Sequence, residues 1–409
     1  MATFLLIIIY LAFISLGLPD SLLGTAWPVM QVELAAPLEM AGFLFMMIAI
    51  GTIISSLLSG KVLKRFGTGK VTFVSVLMTA CALLGIQFAP SIVWLVVCAI
   101  PLGLGAGAVD SGLNDYVATH YKAHHMSWLH CFWGVGATTG PIIISQFIAN
   151  DNAWRNGYLL IACLQFALVI ILFLTLPLWK KVKPNNMSTE QIKSESYNQA
   201  IEEHNENKSP LRIKGVNLAL ASFLFYCGVE ATVGLWGSSF LVEVKGLSAS
   251  TAAQWVSLYY GGITVGRLIT GFITFKWTNR TLVRTGQMIA LLGTIILLLP
   301  LPAIYSLIGF IVIGLGLAPI FPCMLHETPA RFGNKHSQSI MGYQMALAYT
   351  GTTFLPPLLG FLASHSTIGI FPLSIAIFVM AMYFCTEILN RVIKNQRLSY
   401  DNNSNSVIK

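Results

Sequence analysis

Charged residues are scarce in this 409-residue chain: they make up 10% of the sequence, against 55% for hydrophobic residues. Twelve of the 40 charges (24 basic and 16 acidic) fall in one stretch, residues 180–214. The blocks on either side of it are long, apolar and nearly uncharged. A soluble domain needs a polar surface that such blocks cannot supply. The composition therefore excludes a soluble globular protein and is typical of a helical membrane protein.

Several chemical signatures are also missing from the sequence. It contains no Gly-x-x-x-x-Gly-Lys-Ser/Thr loop, so ATP is not expected to drive its function. It has no spacing typical of a metal site or of a nucleophile with its base, and all seven cysteines lie in the apolar blocks, where we expect reduced packing residues. We therefore expect no enzyme activity, no metal, no organic cofactor and no nucleic-acid partner.

The apolar blocks divide into segments long enough to cross a bilayer, which takes about 20 apolar residues. We predict twelve spans, at residues 3–28, 38–60, 70–89, 92–118, 127–148, 155–178, 216–242, 250–275, 282–300, 303–325, 338–363 and 368–390. The first has no basic residues ahead of it and no small-residue cleavage site, so we expect it to be retained rather than removed as a signal peptide.

Lys and Arg residues set the expected orientation. With both termini in the cytoplasm, 21 of the 24 basic residues lie in cytoplasmic connections or the tail, two lie in outer connections, and Arg267 lies within a span. This alternation supports twelve spans. We expect a monomer in the inner membrane, with lipid as its surroundings and a small molecule as its partner.

The two halves of the chain repeat one another at an offset of about 210 residues. Asp20 matches Glu230, Gly103-Leu104-Gly105 matches Gly314-Leu315-Gly316, and Gly136 matches Gly351. Six plus six helices in parallel repeat are typical of alternating-access carriers, whose site lies between the halves near the bilayer midplane. We predict an N-terminal six-helix bundle at residues 1–179, followed by a cytoplasmic linker at 180–215. A C-terminal six-helix bundle follows at 216–393 and a cytoplasmic tail at 394–409.

The repeat, the linker and the loop around Gly60, Arg65 and Gly67 resemble the major facilitator superfamily, whose members carry Gly-x-x-x-Asp-Arg-x-Gly there; Lys64 stands at the Asp position. Short motifs resemble its fucose–galactose–glucose proton symporter (fucose permease-like) family: they begin at Leu18, Gly105, Leu129, Tyr226 and Gly316. The resemblance implies an all-α membrane fold of twelve transmembrane helices, in two six-helix bundles related by a pseudo-two-fold axis.

Acidic residues inside the spans are the strongest functional signal, because a charge at the bilayer centre costs roughly 2.5–3.5 kcal/mol on insertion scales. Asp20 and Asp110 lie deep in spans without basic residues. A carboxylate without a cationic partner, in a low-dielectric cavity, takes up a proton more readily than one in water. The resemblance implies that these two couple protonation to sugar binding, although family members usually have Glu at position 110. A structural hydrogen bond between helices is the alternative for Asp110.

A sugar is bound through hydrogen bonds to its hydroxyls and stacking of aromatic rings on its apolar faces. Asn114, four residues from Asp110, shares its helix face and is the best neutral partner. The predicted substrate-binding residues are Asp20, Asn114, His130, Trp133, Tyr226, Glu230, Tyr259 and Gln344. Packing is the alternative for His130, and Arg267, one turn before Gly271, is expected to have a structural or gating role near the cytoplasmic face.

These observations predict a secondary active transporter, namely a proton-coupled symporter of a monosaccharide or related small polyol. The alternative is a proton-coupled exporter of drugs or metabolites, because deep carboxylates also suit antiport. Two further alternatives are a receptor that no longer transports and an integral membrane enzyme. The sequence contains no appended signalling domain that would support the first and no cofactor site that would support the second. Residue types identify neither the substrate nor the direction, and they do not exclude sodium as the coupling ion.

Overall fold

The computed structural model describes residues 2–121, 123–150, 153–180, 210–274 and 276–407. The predicted linker, 180–215, falls almost entirely between two of these ranges. Within the described residues all regular secondary structure is helical, which confirms the predicted fold class. The helices are α1 Ala2–Asp20, α2 Leu22–Glu33, α3 Met40–Phe66, α4 Thr68–Gln87, α5 Ile92–His120, α6 Ala123–Ala149, α7 Trp154–Thr175, α8 Val216–Glu243, α9 Ala249–Ile273, α10 Asn279–Leu298, α11 Ala303–Leu317, α12 Ile320–His326, α13 Thr328–Phe332, α14 Asn334–Ser364 and α15 Phe371–Val407.

Eleven stretches of the described chain are long and apolar enough to cross a membrane, one fewer than the twelve predicted spans. The difference is α9, which is 25 residues long but carries polar residues such as Gln254, Ser257 and Arg267. Helix α9 packs against α6 and α11 rather than lying alone in lipid. Its polar residues can therefore face protein or a cavity, and α9 completes the twelve-helix arrangement.

Two predicted spans are each formed by two helices. Span one breaks at Ser21, between α1 and α2, and span ten breaks at Pro319, between α11 and α12. Proline causes such breaks because it lacks the amide hydrogen that would bond the carbonyl four residues earlier. Span twelve differs in length, because α15 continues through Val407 into the predicted tail.

Polar side chains compensate for two of the missing backbone hydrogen bonds. Pro19 frees the Ser15 carbonyl, and the buried Gln165 donates its side-chain amide to that oxygen at 2.8 Å. Pro141 frees the Ala137 carbonyl, which accepts from the Ser21 hydroxyl at 2.9 Å. These bonds matter because an unpaired carbonyl in the membrane interior costs several kcal/mol. Helix α1 is thereby joined to α7, and the start of α2 to α6.

The repeated glycines perform the same packing task in both halves. A Cβ on Gly136 would lie 2.1 Å from the carbonyl oxygen of Ile14, and one on Gly351 would lie 2.0 Å from that of Leu224. Gly103 and Gly314 similarly approach the backbones of α3 and α9. Small residues permit such close helix contact in membranes. The contacts in the second half occur about 210 residues after those in the first.

The two halves meet along a seam in which α6 packs on α9 and α3 packs on α14. We call the end of the bundle next to the linker the linker end; there Trp179 covers Gly69 and accepts a hydrogen bond from Tyr116 through its carbonyl. The opposite end is called the far end. A site placed at mid-span on the seam is contacted by both halves.

Candidate functional site

The far end of the seam is closed by direct contacts between the halves. Ser250 donates its hydroxyl to the Ser145 carbonyl at 2.8 Å, and a Cβ on Gly24 would lie 2.3 Å from the Gly234 carbonyl. Toward the linker end, Gly60 of α3 and Gly342 of α14 have no atom within 4 Å of an added Cβ. The two halves therefore touch directly at the far end, whereas these two glycines of the seam helices meet no other part of the protein that the structure describes.

Asp20 lies at the end of α1, near the middle of the first span, yet its side chain is exposed. Its carboxylate accepts a hydrogen bond of 2.7 Å from the indole nitrogen of Trp133 on α6. An exposed acid that bonds a residue of a seam helix faces a cavity inside the protein rather than lipid. Its position at the break in span one follows from Pro19, which ends the regular helix beside it.

Glu230 and Arg267 form an ion pair inside the second half. Their carboxylate oxygen and guanidinium nitrogen are 3.8 Å apart, and the side chains are 17% and 14% exposed. Tyr226, one turn before Glu230 on α8, is buried beside the pair, and among the described residues its hydroxyl has no hydrogen-bond partner. The Tyr259 hydroxyl donates to the Glu230 carbonyl at 3.2 Å and fastens α9 to α8.

Trp133 connects these two acidic positions across the seam. The guanidinium of Arg267 lies 5.4 Å from the centre of the Trp133 ring, within the range of a cation–π interaction. Tyr260 meets the same ring edge-on at 6.4 Å. A continuous chain of contacts therefore runs from Asp20 through Trp133 and Arg267 to Glu230, and it joins the first half to the second.

Asp110 forms a second link between the halves. Asn114, one turn further along α5, donates to one of its carboxylate oxygens at 2.9 Å, as the shared helix face predicted. The hydroxyl of Tyr349 on α14 reaches the other oxygen at 3.4 Å. In the part of the chain that the structure describes, no Lys or Arg pairs with Asp110 or Asp20. Asp110 also lies within electrostatic range of Asp20.

The structure groups most of the predicted binding residues but not all of them. Those around the central chain of contacts or around Asp110 are Asp20, Asp110, Asn114, Trp133, Tyr226, Glu230 and Tyr259. His130 packs edge-on against Phe13, with ring centres 5.9 Å apart, and lies within electrostatic range of Arg267. Gln344 is buried inside the second half, where its side-chain oxygen accepts from Thr328 at 3.0 Å, away from this group.

Two residues of the site were not predicted as binding residues. Arg267 was expected near the cytoplasmic face with a structural or gating role, and its side chain instead reaches Glu230 in the middle of α8. The signal was present, since an arginine within a span needs a buried partner. Tyr349 was not predicted, because the sequence of an apolar helix does not indicate which acid on another helix its tyrosine will contact.

Comparison with known proteins identifies the family. The profile described as Major Facilitator Superfamily matches residues 9–356. The chain belongs to the major facilitator superfamily. Its members are transporters, so the protein is a multi-pass membrane transporter and not an enzyme, as the sequence predicted.

Relatives and solved structures agree with that membership. The chain is 24% identical over 284 residues to the glucose/mannose transporter GlcP of Bacillus subtilis, covering 67% of each protein. It is 23% identical over 371 residues to the cis,cis-muconate transport protein of Acinetobacter baylyi, covering 87% of this chain and 86% of that protein. The fold resembles the inward-open xylose transporter XylE from E. coli, with a TM-score of 0.74 at 15% identity over 95% of this chain and 96% of that one.

In this major facilitator protein the repeat supplies two of the acids of the site. Asp20 and Glu230 occupy equivalent positions of the two halves, yet Asp20 accepts a hydrogen bond from an indole and Glu230 forms a long ion pair with an arginine. The repeat thus places an acid at mid-span twice, and the neighbouring seam helices give each acid a different environment.

Proposed function

We propose that this transporter is a proton-coupled symporter of a monosaccharide or related small polyol and that it works by alternating access. The observation that carries the proposal is the pair of deep acids, Asp20 and Asp110, held by neutral donors rather than by cations. A carboxylate of this kind can be neutral or charged without leaving a buried cation unpaired. It can therefore gain and lose a proton during each transport cycle.

The surroundings of these acids favour a polyhydroxylated substrate. Carboxylate, amide, indole and phenol groups supply donors and acceptors for hydroxyls, and Trp133 and Tyr260 supply aromatic surface. The relative whose name includes glucose and mannose transport supports a sugar. The structural likeness to the xylose transporter supports the fold alone.

Contacts between the halves at the far end support alternating access. There Ser250 bonds Ser145, and Gly24 approaches the backbone of Gly234. A rocking motion that opens the far-end contacts and closes the linker end would expose Asp20 to the other side. We further propose the orientation expected from the basic residues, with both termini in the cytoplasm of a cell with an inner membrane, and a monomer as the working unit.

The deciding experiment uses purified protein in liposomes with radiolabelled D-glucose, D-mannose and D-xylose. With an acidic exterior we expect sugar accumulation that a protonophore abolishes, while counterflow exchange without a pH gradient continues. A sodium gradient alone should not drive uptake. Accumulation driven by an acidic interior would support the exporter, and the absence of exchange for all three sugars would reject a monosaccharide substrate of this kind.

A further inference from the structure

The loose ion pair between Arg267 and Glu230 is the strongest feature that the proposed function leaves unexplained. Its 3.8 Å separation is too long for a hydrogen bond. By contrast, Arg284, on the surface of the same half, donates two hydrogen bonds to the Glu387 carboxylate, the one from its Nε being 2.9 Å long. In the central pair, therefore, guanidinium donors and carboxylate acceptors remain free for a third group.

We propose that Arg267 and Glu230 bind two neighbouring hydroxyls of a neutral substrate, so that Arg267 is a specificity-determining residue; this rests on the proposed sugar transport. The guanidinium donates to one hydroxyl oxygen, and the carboxylate accepts from the adjacent hydroxyl. A vicinal diol offers this combination of acceptor and donor on neighbouring carbons. Both side chains are partly exposed, with 14% of Arg267 and 17% of Glu230 accessible.

Trp133 completes the subsite from the opposite half. Its ring lies against the Arg267 guanidinium, and its indole nitrogen is committed to Asp20. A substrate held by the ion pair therefore lies beside the aromatic group that holds a deep acid. Binding at Arg267 and Glu230 can in this way be sensed at Asp20 through one rigid side chain.

The charge balance of the site favours neutral substrates over anions. The described mid-span groups include three acids, Asp20, Asp110 and Glu230, against the single guanidinium of Arg267. The pair itself is neutral, so a neutral sugar entering between its members leaves no charge unpaired. A substrate carboxylate would compete with Glu230 for Arg267 and would face the negative charge of the other acids.

The test compares a double substitution that removes both charges with a matched control. Arg267→Gln with Glu230→Gln leaves no unpaired buried charge, so the variant should fold, and its sugar affinity should equal that of the wild type if the pair is only structural. Arg284→Gln with Glu387→Gln removes an ion pair elsewhere in the same half. Sugar affinity is measured by counterflow in liposomes, which needs no proton gradient, and folded protein is quantified by size-exclusion chromatography.

We expect the central double variant to remain folded while its affinity for the transported sugar falls about tenfold or more, with the control pair unchanged. Deoxy analogues that lack one of the two bound hydroxyls should bind wild type weakly and should lose little further in the variant. Wild-type affinity in the folded central variant would overturn the proposal and leave sugar transport intact. Absence of sugar exchange by the wild type would instead overturn the proposed function.

A single variant and an anionic probe complete the design. Arg267→Lys keeps the charge but loses the planar fork, so the protein should fold normally while its affinity for the sugar falls. D-glucuronate, which resembles D-glucose but carries a carboxylate, should neither compete with sugar nor be exchanged. If glucuronate competed as well as the neutral sugar, the inference that the pair selects neutral substrates would be wrong.

Discussion

Trp133 donates its indole hydrogen to Asp20 at 2.7 Å while its ring carries the guanidinium of Arg267 at 5.4 Å. One aromatic side chain therefore contacts both the acid of the first half and the ion pair of the second. Helix α6, which carries Trp133, is also the helix that packs along α9 at the seam. A movement of the two halves past each other must change at least one of these contacts.

Asp110→Asn tests proton coupling. An amide cannot release a proton, but it can still accept from Tyr349 and contact Asn114. We expect uphill sugar uptake to disappear, while counterflow exchange, which needs no net proton release, persists at a measurable rate. Glu39→Gln, at the start of α3, is the control and should keep both activities. Loss of both activities in folded Asp110→Asn protein would indicate substrate binding or a structural role instead.

Asp20→Asn tests whether the acid beside Trp133 carries the pH dependence. Wild-type symport should become faster as the exterior pH falls, because protons enter with the sugar. The asparagine oxygen can still accept from Trp133 at the 2.7 Å position, so the shape of the site is kept. We expect weaker sugar binding and a shallower pH dependence than in the wild type, because only Asp110 remains to take up a proton. A wild-type profile with wild-type affinity would remove Asp20 from the site.

Gln165→Leu tests whether Gln165 compensates for the backbone hydrogen bond that is missing at Pro19. Gln165 is 1% exposed and bonds both the Ser15 carbonyl, freed by Pro19, and the Thr79 hydroxyl. Its loss should cost about 1–3 kcal/mol for the unpaired groups. The expected result is a lower melting temperature in detergent, measured by tryptophan fluorescence. Gln254→Leu, at an exposed position of α9, should leave the melting temperature almost unchanged.

Gly136→Ala and Gly351→Ala test the repeated helix contacts. The new methyl groups would lie 2.1 and 2.0 Å from backbone oxygens of Ile14 and Leu224, so the helices must separate. Both variants should give less folded protein and faster unfolding. The matched controls are Gly60→Ala and Gly342→Ala, which have no atom within 4 Å. Normal expression of all four variants would show that these contacts yield more easily than the structure indicates.

Cysteine labelling tests the orientation that the basic residues predict. In a cysteine-free background, Asn198→Cys in the linker should react with an impermeant maleimide only after the cells are opened. Val32→Cys, which is 76% exposed near the far end of α2, should react in intact cells. The opposite labelling pattern would invert the topology, and labelling of both sites from outside would contradict the predicted positions of the spans.

Much of the fold could be predicted from composition and spacing. Apolar runs of sufficient length, basic residues in alternate connections and glycines repeating at about 210 residues led to two six-helix bundles and the superfamily. The breaks at Ser21 and Pro319 were not predicted, because hydropathy records how apolar a segment is but not where its hydrogen bonds fail. Residues 250–275 were predicted as a span from their apolar length, like the other eleven, but α9 is too polar to count among the eleven membrane-crossing stretches of the described chain.

The candidate site, like the fold, could be predicted from the sequence only in part. The sequence alone determined that Asp20, Asp110 and Glu230 lie deep in spans, because buried charge is costly and therefore conspicuous. It also determined that Asn114 shares the face of Asp110, because residues four apart on a helix are neighbours. These relations are local to one segment, and both appear in the structure.

Only the tertiary structure decided which groups meet across helices. It paired Arg267 with Glu230, placed Trp133 between that pair and Asp20, directed Tyr349 at Asp110 and turned Gln344 toward Thr328 inside the second half. Such contacts depend on the rotation of each helix about its axis and on its depth beside its neighbours. Close packing sets the rotation and the depth of each helix, through the shapes of the side chains and through glycine contacts. Neither quantity can be predicted from an apolar sequence by itself.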